Sequence, residues 1–250
     1  MALRVILLLV MAFLAQSDRV SERKVSSWPR GNYGLLSTVY GCPETSEYGW
    51  QTGYINLTST GSRTAYHDWS DSLHLLGPYH LHTIQLNFCM RPDDLDTEDD
   101  EILNVTENRT ASSNIWPQGH YCIFQGDADC PSEFNTSFLT LRDYAIINDD
   151  IEGQLPNMTF NENEVIVILC CRSDEDANST MALPSVFPFY LIKPQSEVPC
   201  QQVGGTEVFE ETFAFIPSTN MSQDELEPHE NDTLALRLCF YKPYGMLIDI

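Results

Sequence analysis

The sequence predicts an all-β fold: a disulfide-stabilised, β-sandwich-like single domain with long acidic glycosylated loops. Three observations predict it. The most continuously apolar stretch after the leader is Glu164 to Arg172, five aliphatic residues in a row followed by Cys170 and Cys171, with polar Asn161-Glu162-Asn163 before it and Ser173-Asp174-Glu175-Asp176 after. Such a run reads as a central strand covered on both faces. Because side chains alternate along a strand, Cys170 and Cys171 point to opposite sides and can tether two different layers. Second, there are eight cysteines, at Cys42, Cys89, Cys122, Cys130, Cys170, Cys171, Cys200 and Cys239, an even number that implies up to four bridges in an oxidising compartment. Third, short apolar segments separated by Gly, Pro and acidic turns recur along the chain, and no segment of helical period stands out.

Taken in order, Met1 to Ser17 reads as a signal peptide, with Arg4 as the basic region, Val5 to Leu14 as the apolar region and Ala15-Gln16-Ser17 before the cut. Residues 18–27 are a flexible polar leader. Trp28-Pro29-Arg30-Gly31-Asn32-Tyr33-Gly34-Leu35 reads as an edge strand followed by a bend tied down by Cys42. Tyr79 to Cys89 alternates as a strand, with His80, His82, Ile84, Leu86 and Phe88 on one side. Arg91 to Ser113 carries an acidic run and two sequons and reads as an insert without core residues.

Structure resumes at Ile115-Trp116-Pro117-Gln118-Gly119-His120-Tyr121-Cys122, and Cys122 and Cys130 flank a turn that invites a local bridge. Phe138 to Ile147 is a further strand and Asp149 to Pro156 a turn. Pro184 to Tyr190 suits an irregular edge strand. Val208 to Ile216 alternates as a strand, Pro217 to Asp232 is an acidic loop, Leu234 to Tyr241 closes the sheet and residues 243–250 form a short tail. No internal repeat is evident.

Charge narrows the partners. Thirteen basic residues stand against 36 acidic ones, a formal charge of −23. That field repels nucleic acid and anionic headgroups. No later run approaches the roughly 18 apolar residues of a membrane helix, so the chain reads as secreted and extracellular, with no transmembrane segment. Sequons at Asn56, Asn104, Asn108, Asn135, Asn157, Asn178, Asn220 and Asn231 place those positions on loops or exposed edges of a glycoprotein.

No catalytic motif is present: there is no Gly-x-Ser-x-Gly elbow, no His-Glu-x-x-His and no cysteine left over as a nucleophile. The chain is therefore expected not to be an enzyme, with a glycosidase or amidase as the remote alternative. His67, His74, His80, His82 and His120 read as half-exposed strand residues rather than metal ligands. No cofactor is expected. Calcium stays open, with Asp143, Asp149-Asp150, Glu152 or Asp174 to Asp176 as oxygen donors that lack the fixed spacing of a calcium loop. Aromatic-rich turns are the candidates for ligand binding, since sugar C–H faces stack on such rings. Trp50, Trp69, Trp116 and Tyr121 are the candidate rings and Asp143 a candidate polar contact.

An ordered series of motifs resembles one known family. It comprises Trp28-Pro29-x-Gly31-x-Tyr33-Gly34-Leu35, Gly41-Cys42-Pro43, Trp69-Ser70, Phe88-Cys89, Trp116-Pro117-x-Gly119-x-Tyr121-Cys122-Ile123, Cys130-Pro131, Gly153-x-Leu155-Pro156, Cys170-Cys171-Arg172, Pro188-Phe189-Tyr190-Leu191 and Cys200-Gln201-x-Val203-x-Gly205. Over about residues 28–242 this is similar to the apextrin C-terminal (ApeC) domain.

The resemblance implies a secreted recognition protein of innate defence that binds microbial cell-wall glycans, peptidoglycan or its muramyl fragments. An extracellular adhesion or matrix role, with matrix glycans as partners, is the alternative it leaves. Some relatives carry a pore-forming domain in front; only a signal peptide is expected here, so no lytic role is. Leu141-Arg142-Asp143-Tyr144 and Ser173-Asp174 stand where the family pattern has an acidic Trp segment and Asp-Gly. The resemblance carries over no binding residues and leaves oligomeric state open.

Overall fold

In a computed structural model the described residues are 27–44, 49–60, 66–80, 82–92, 115–142, 144–146, 150–162, 164–216 and 234–247. Residues 18–26 of the expected leader, residues 93–113 of the acidic insert and the loop before the last strand lie outside them, while Arg91, read as the start of the insert, ends β4.

The strands, in chain order, are β1 (Tyr33–Leu36), β2 (Gln51–Ser59), β3 (Tyr66–Trp69), β4 (Thr83–Arg91), β5 (His120–Gln125), β6 (Asn135–Arg142), β7 (Tyr144–Ala145), β8 (Ile151–Gly153), β9 (Met158–Asn161), β10 (Glu164–Ser173), β11 (Phe189–Ile192), β12 (Thr206–Ile216) and β13 (Leu234–Pro243). Among the described residues there is no helix, and so none long and apolar enough to cross a membrane.

All thirteen strands join one hydrogen-bonded sheet, which branches at β5. A strand has two edges. One edge of β5 pairs with β10 from His120 to Phe124, so β1, at Phe124 and Gln125, and β11, at Cys122, must share the other. From β1 one arm continues through β4 to β2, which carries β7 and β8; from β11 the other continues through β13 and β12 to β3. On the far side β10 bears β6 along one edge, and β9 beside its first half on the other.

Alternation then separates two cores. Cys122 and Phe124 of β5, Val165, Val167 and Leu169 of β10, Leu236, Leu238 and Phe240 of β13, and Ile84, Leu86 and Phe88 of β4 enter one apolar cluster, across which the two arms face each other as the layers of a sandwich do. Residues of opposite parity, Tyr121 and Ile123, Cys170, Phe189 and Leu191, Cys239 and Tyr241, face a second cluster. That face is covered by loops carrying Trp28, Trp50, Trp116, Met181, Leu183 and Val203.

The adjacent cysteines behave as alternation requires. Cys170 is buried in the second cluster and bonds Cys130, while Cys171 packs against the first and bonds Cys122. Cys42–Cys89 and Cys200–Cys239 complete the set, and no cysteine is free.

Several local expectations need correction. The local Cys122–Cys130 bridge is absent: Cys122 lies directly opposite Cys171 in the β5/β10 register, 4.0 Å between Cα atoms, whereas Cys130 follows the turn on the other face. The two segments read as edge strands, β1 and β11, are interior, because their four residues are all buried and both edges are paired; Pro184 and Pro188 lie outside β11. β8 forms within the stretch read as a turn. It pairs with β2 through Gly153, whose φ of +73° and close approach to the Thr52 carbonyl leave no room for a Cβ. Finally, the second face of β10 is only partly covered, since Ile166 and Ile168 are half-buried.

Candidate functional site

Four rings were expected to form an exposed platform, and three of them are core. Trp50 and Trp116 are 2 % exposed and Tyr121 1 %. Trp28 meets Trp50 edge-on at 5.7 Å, and Trp116 packs against Tyr33 at 4.7 Å and Phe134 at 5.7 Å.

The reason is a six-residue repeat that the sequence reading overlooks. Trp28-Pro29-Arg30-Gly31-Asn32-Tyr33 and Trp116-Pro117-Gln118-Gly119-His120-Tyr121 make the same turn: each tyrosine hydroxyl donates to the proline carbonyl four residues back, at 2.8 Å and 2.6 Å. Each turn thereby folds its tryptophan under the strand that follows, onto the open face of the sheet. Burial pushes both phenol pKa values up, so these hydroxyls stay protonated donors. Trp69 is half-buried, parallel to Phe213 at 6.0 Å and edge-on to Tyr79 at 5.1 Å. Asp143 lies outside the described residues.

Where the first turn meets the loop after β5, a groove of about 260 Å³ opens. Arg30, Gly31 and Asn32 line it on one side, Ala128, Asp129, Pro131 and Ser132 on the other, with buried Trp116 between. Its walls are fixed. The Gly126 amide donates to the Asn32 carbonyl at 3.2 Å, and a Cβ on Gly126 would run into the Asn32 side chain. The Cys130–Cys170 bridge ties the far wall to β10.

Beneath the groove Arg172, almost fully buried, donates to the Trp116 carbonyl at 2.8 Å, pairs with Asp174 and lies over the Phe134 ring at 5.5 Å. The Arg172 guanidinium holds the Asp174 carboxyl below the usual carboxylate range, against a smaller opposing effect of burial; the Gly119 amide, 3.1 Å away, helps. The indole N–H groups of Trp28, Trp50 and Trp116 are all buried without a hydrogen-bond partner.

A second polar constellation sits at one end of the first core. Glu211, 1 % exposed, accepts from the His74 ring Nδ1 at 2.6 Å, the His74 amide at 3.0 Å and the Tyr190 hydroxyl at 2.5 Å. The His74 ring lies parallel to Phe240 at 4.2 Å. Burial, with the Glu211 charge adding to it, raises the Tyr190 pKa far above the ordinary phenol value. An imidazole oriented by a carboxylate is half of a hydrolytic triad. Here the contacts join the loop bearing His74 to β12 and β11, which is a structural use. The signal for it was available in part: Glu211 and Phe213 share a parity on β12, so the glutamate enters the core with buried Phe213, although Phe209, of the same parity, is exposed.

The remaining expected site residues scatter. His80 and His82 are exposed, and His120 is half-buried on β5. Of the acidic candidates, Glu152 accepts from the Tyr54 hydroxyl and Asp176 accepts from the Asn178 amide. Asn135 and Asn178 are exposed, as sequons require. Asn56 and Asn157 depart from that expectation: Asn56 is half-buried within β2 between buried Ile55 and Leu57, and the half-buried Asn157 side chain donates to Gln125 at 3.0 Å. Asn104, Asn108, Asn220 and Asn231 lie outside the described residues.

Residues 28–241 match the family model for the C-terminal domain of apextrin, ApeC. No curated protein and no solved structure matches the chain. The matched span runs from the first tryptophan turn into the last strand and takes in all four disulfides.

Proposed function

Since the chain belongs to the apextrin C-terminal domain (ApeC) family, we propose that it is a secreted, non-enzymatic recognition protein that binds microbial cell-wall glycans, peptidoglycan or its muramyl fragments, in innate defence. The observation that carries the binding reading is the groove between Arg30 and Ser132: polar side chains converge there on backbone held by a disulfide, a buried arginine and a tryptophan cluster. Sites fixed before the ligand arrives lose less entropy on binding.

Four disulfides suit an oxidising extracellular compartment. With Trp50, Trp69, Trp116 and Tyr121 buried or half-buried, recognition at the groove rests on hydrogen bonds and charge at short range. The proposal includes no metal or other cofactor.

The full secreted chain, freed of its own N-glycans, is expected to sediment with insoluble peptidoglycan well beyond an unrelated acidic glycoprotein. Equal retention of the two proteins would count against the reading. An extracellular matrix role has one observation in its favour, an apolar outer face on the β6/β10 pair where Phe138, 64 % exposed, lies opposite half-buried Ile168. Retention on matrix glycans instead of peptidoglycan is the outcome that selects it.

A further inference from the structure

We propose that two copies of this chain pair through β6, edge to edge and antiparallel, so that each sheet continues into the other across a two-fold axis at Leu139. This surface is independent of what the groove binds.

Backbone directions locate the open edge. The Ile168 amide donates to the Asn157 carbonyl at 3.0 Å and, just beyond the end of β10, the Asp174 amide donates to the Gly119 carbonyl at 3.2 Å. Both acceptors lie on the β5/β9 side, so the even-numbered residues of β10 turn their backbone groups away from β6. Directly opposite residues of an antiparallel pair either face each other or both turn away. Phe138 is opposite Ile168, and Thr136, Thr140 and Arg142 follow at steps of two, so the N–H and C=O groups of these four residues point out of the free edge. Among the described residues no strand but β10 pairs with β6, and no backbone group takes those donors and acceptors.

Edges this open are normally blunted by charge, proline or a bulge. β6 keeps an unbroken register with β10, has no proline, and carries a single charge, Arg142, at its end. It is the longest of the sheet's outermost strands, with eight residues against four in β3 and β9, three in β8 and two in β7. The middle of its outer face is apolar, where exposed Phe138 stands beside half-buried Ile166 and Ile168.

Charge points to a second copy as the occupant. A chain with 36 acidic residues against 13 basic ones repels its own kind over most of its surface. β6 has no carboxylate, and Glu164, opposite Arg142 in register, lies 3.8 Å from its guanidinium. Antiparallel pairing about Leu139 sets Phe138 against Thr140 of the partner subunit and Thr136 against Arg142 of the partner subunit. The two arginines then sit at opposite ends, and the two Phe138 rings become diagonal neighbours. Each outward residue finds its match in the same strand of the other copy, as a two-fold contact requires. Asn135, the sequon residue at the start of β6, has the parity of Leu139, so a glycan there leaves from the face opposite Phe138.

The test is sedimentation of the full secreted chain, N-glycans in place, from about 1 μM to about 0.1 mM, together with hydrogen exchange. A dimer is expected to grow with concentration. It should strengthen severalfold between about 50 and about 500 mM NaCl, because salt screens the repulsion between two acidic chains while the strand contact itself joins no opposite charges. The amides of Thr136, Phe138, Thr140 and Arg142 should exchange slowly in the dimer and fast in the monomer. Phe138→Lys places two ammonium groups on diagonal positions and should raise the dimer dissociation constant about tenfold or more, with the wild-type melting temperature because the residue is exposed. Phe187→Lys, at an exposed ring in the loop before β11, should leave the dimer unchanged. A monomer at every concentration, a dimer that Phe138→Lys leaves intact, or a dimer formed without slowing of those four amides would each overturn the inference. None of these results bears on retention by peptidoglycan.

Discussion

Removing the Cys130–Cys170 bridge, in the paired Cys130→Ala, Cys170→Ala variant, is expected to destabilise the protein by about 4 kcal/mol. The bridge spans 40 residues, and a cross-link of that span restricts the unfolded chain by an amount between the roughly 3 and 5 kcal/mol of shorter and longer loops. Changing both partners keeps the thiol count even, so no sulfur is left to mispair. The loss should appear as a lower denaturant midpoint with a somewhat steeper slope, because the unfolded chain without the cross-link exposes more surface. It should also be local in its first effect. Cys130 anchors the wall of the groove, and Phe134, four residues on, packs against Trp116, so tryptophan emission should shift to the red before the main transition. A midpoint within about 1 kcal/mol of wild type would mean that the bridge is dispensable for this face.

Glu211→Ala is the second large effect, a loss of about 3–5 kcal/mol. The carboxylate is the acceptor for the His74 ring, the His74 amide and the Tyr190 hydroxyl, and removing it leaves those donors, the Tyr190 hydroxyl fully buried, without a partner. Overpacking is not at issue; the side chain leaves a polar hole in an apolar surround. Glu211→Gln separates charge from shape: it keeps one carbonyl acceptor and should lose less than the alanine variant in the same urea titration. If the two variants were equally stable to wild type, the cluster would contribute nothing measurable to the fold.

Much of the architecture could be read from residues, and where it could not the reasons are specific. The central strand was legible because five aliphatic residues between acidic flanks fit few alternatives, and the opposed cysteines follow from alternation alone. Their partners were not legible. Whether Cys122 meets Cys130 or Cys171 depends on the register between β5 and β10, which is a property of two segments about 50 residues apart. β1 and β11 looked like edges because glycine and proline accompany them, yet the prolines stand outside the pairing and Gly34 is paired on both sides.

The tryptophans failed as ligand candidates for a related reason. A ring between Gly and Pro reads as a surface turn, but the repeated Trp-Pro-x-Gly-x-Tyr segment is a device that turns the ring inward, visible only when both copies are laid side by side. The groove had no such signal. Arg30 and Asn32 are about a hundred residues from Asp129 and Ser132, and the short pairing of Tyr33 and Gly34 with Gln125 and Phe124, extended by the Gly126–Asn32 hydrogen bond, brings them together.

Adjacent sulfurs bonded to opposite faces of one strand hold the branch point of the sheet and the groove beside it. Digestion of the secreted protein with an enzyme cutting before aspartate separates Cys122 from Cys130 at Asp127 and Asp129, and stepwise reduction with tandem mass spectrometry then resolves the neighbours at 170 and 171. Cys171 joined to Cys122 and Cys170 to Cys130 is the predicted pattern. A bond between Cys122 and Cys130, or between Cys170 and Cys171 themselves, would contradict it.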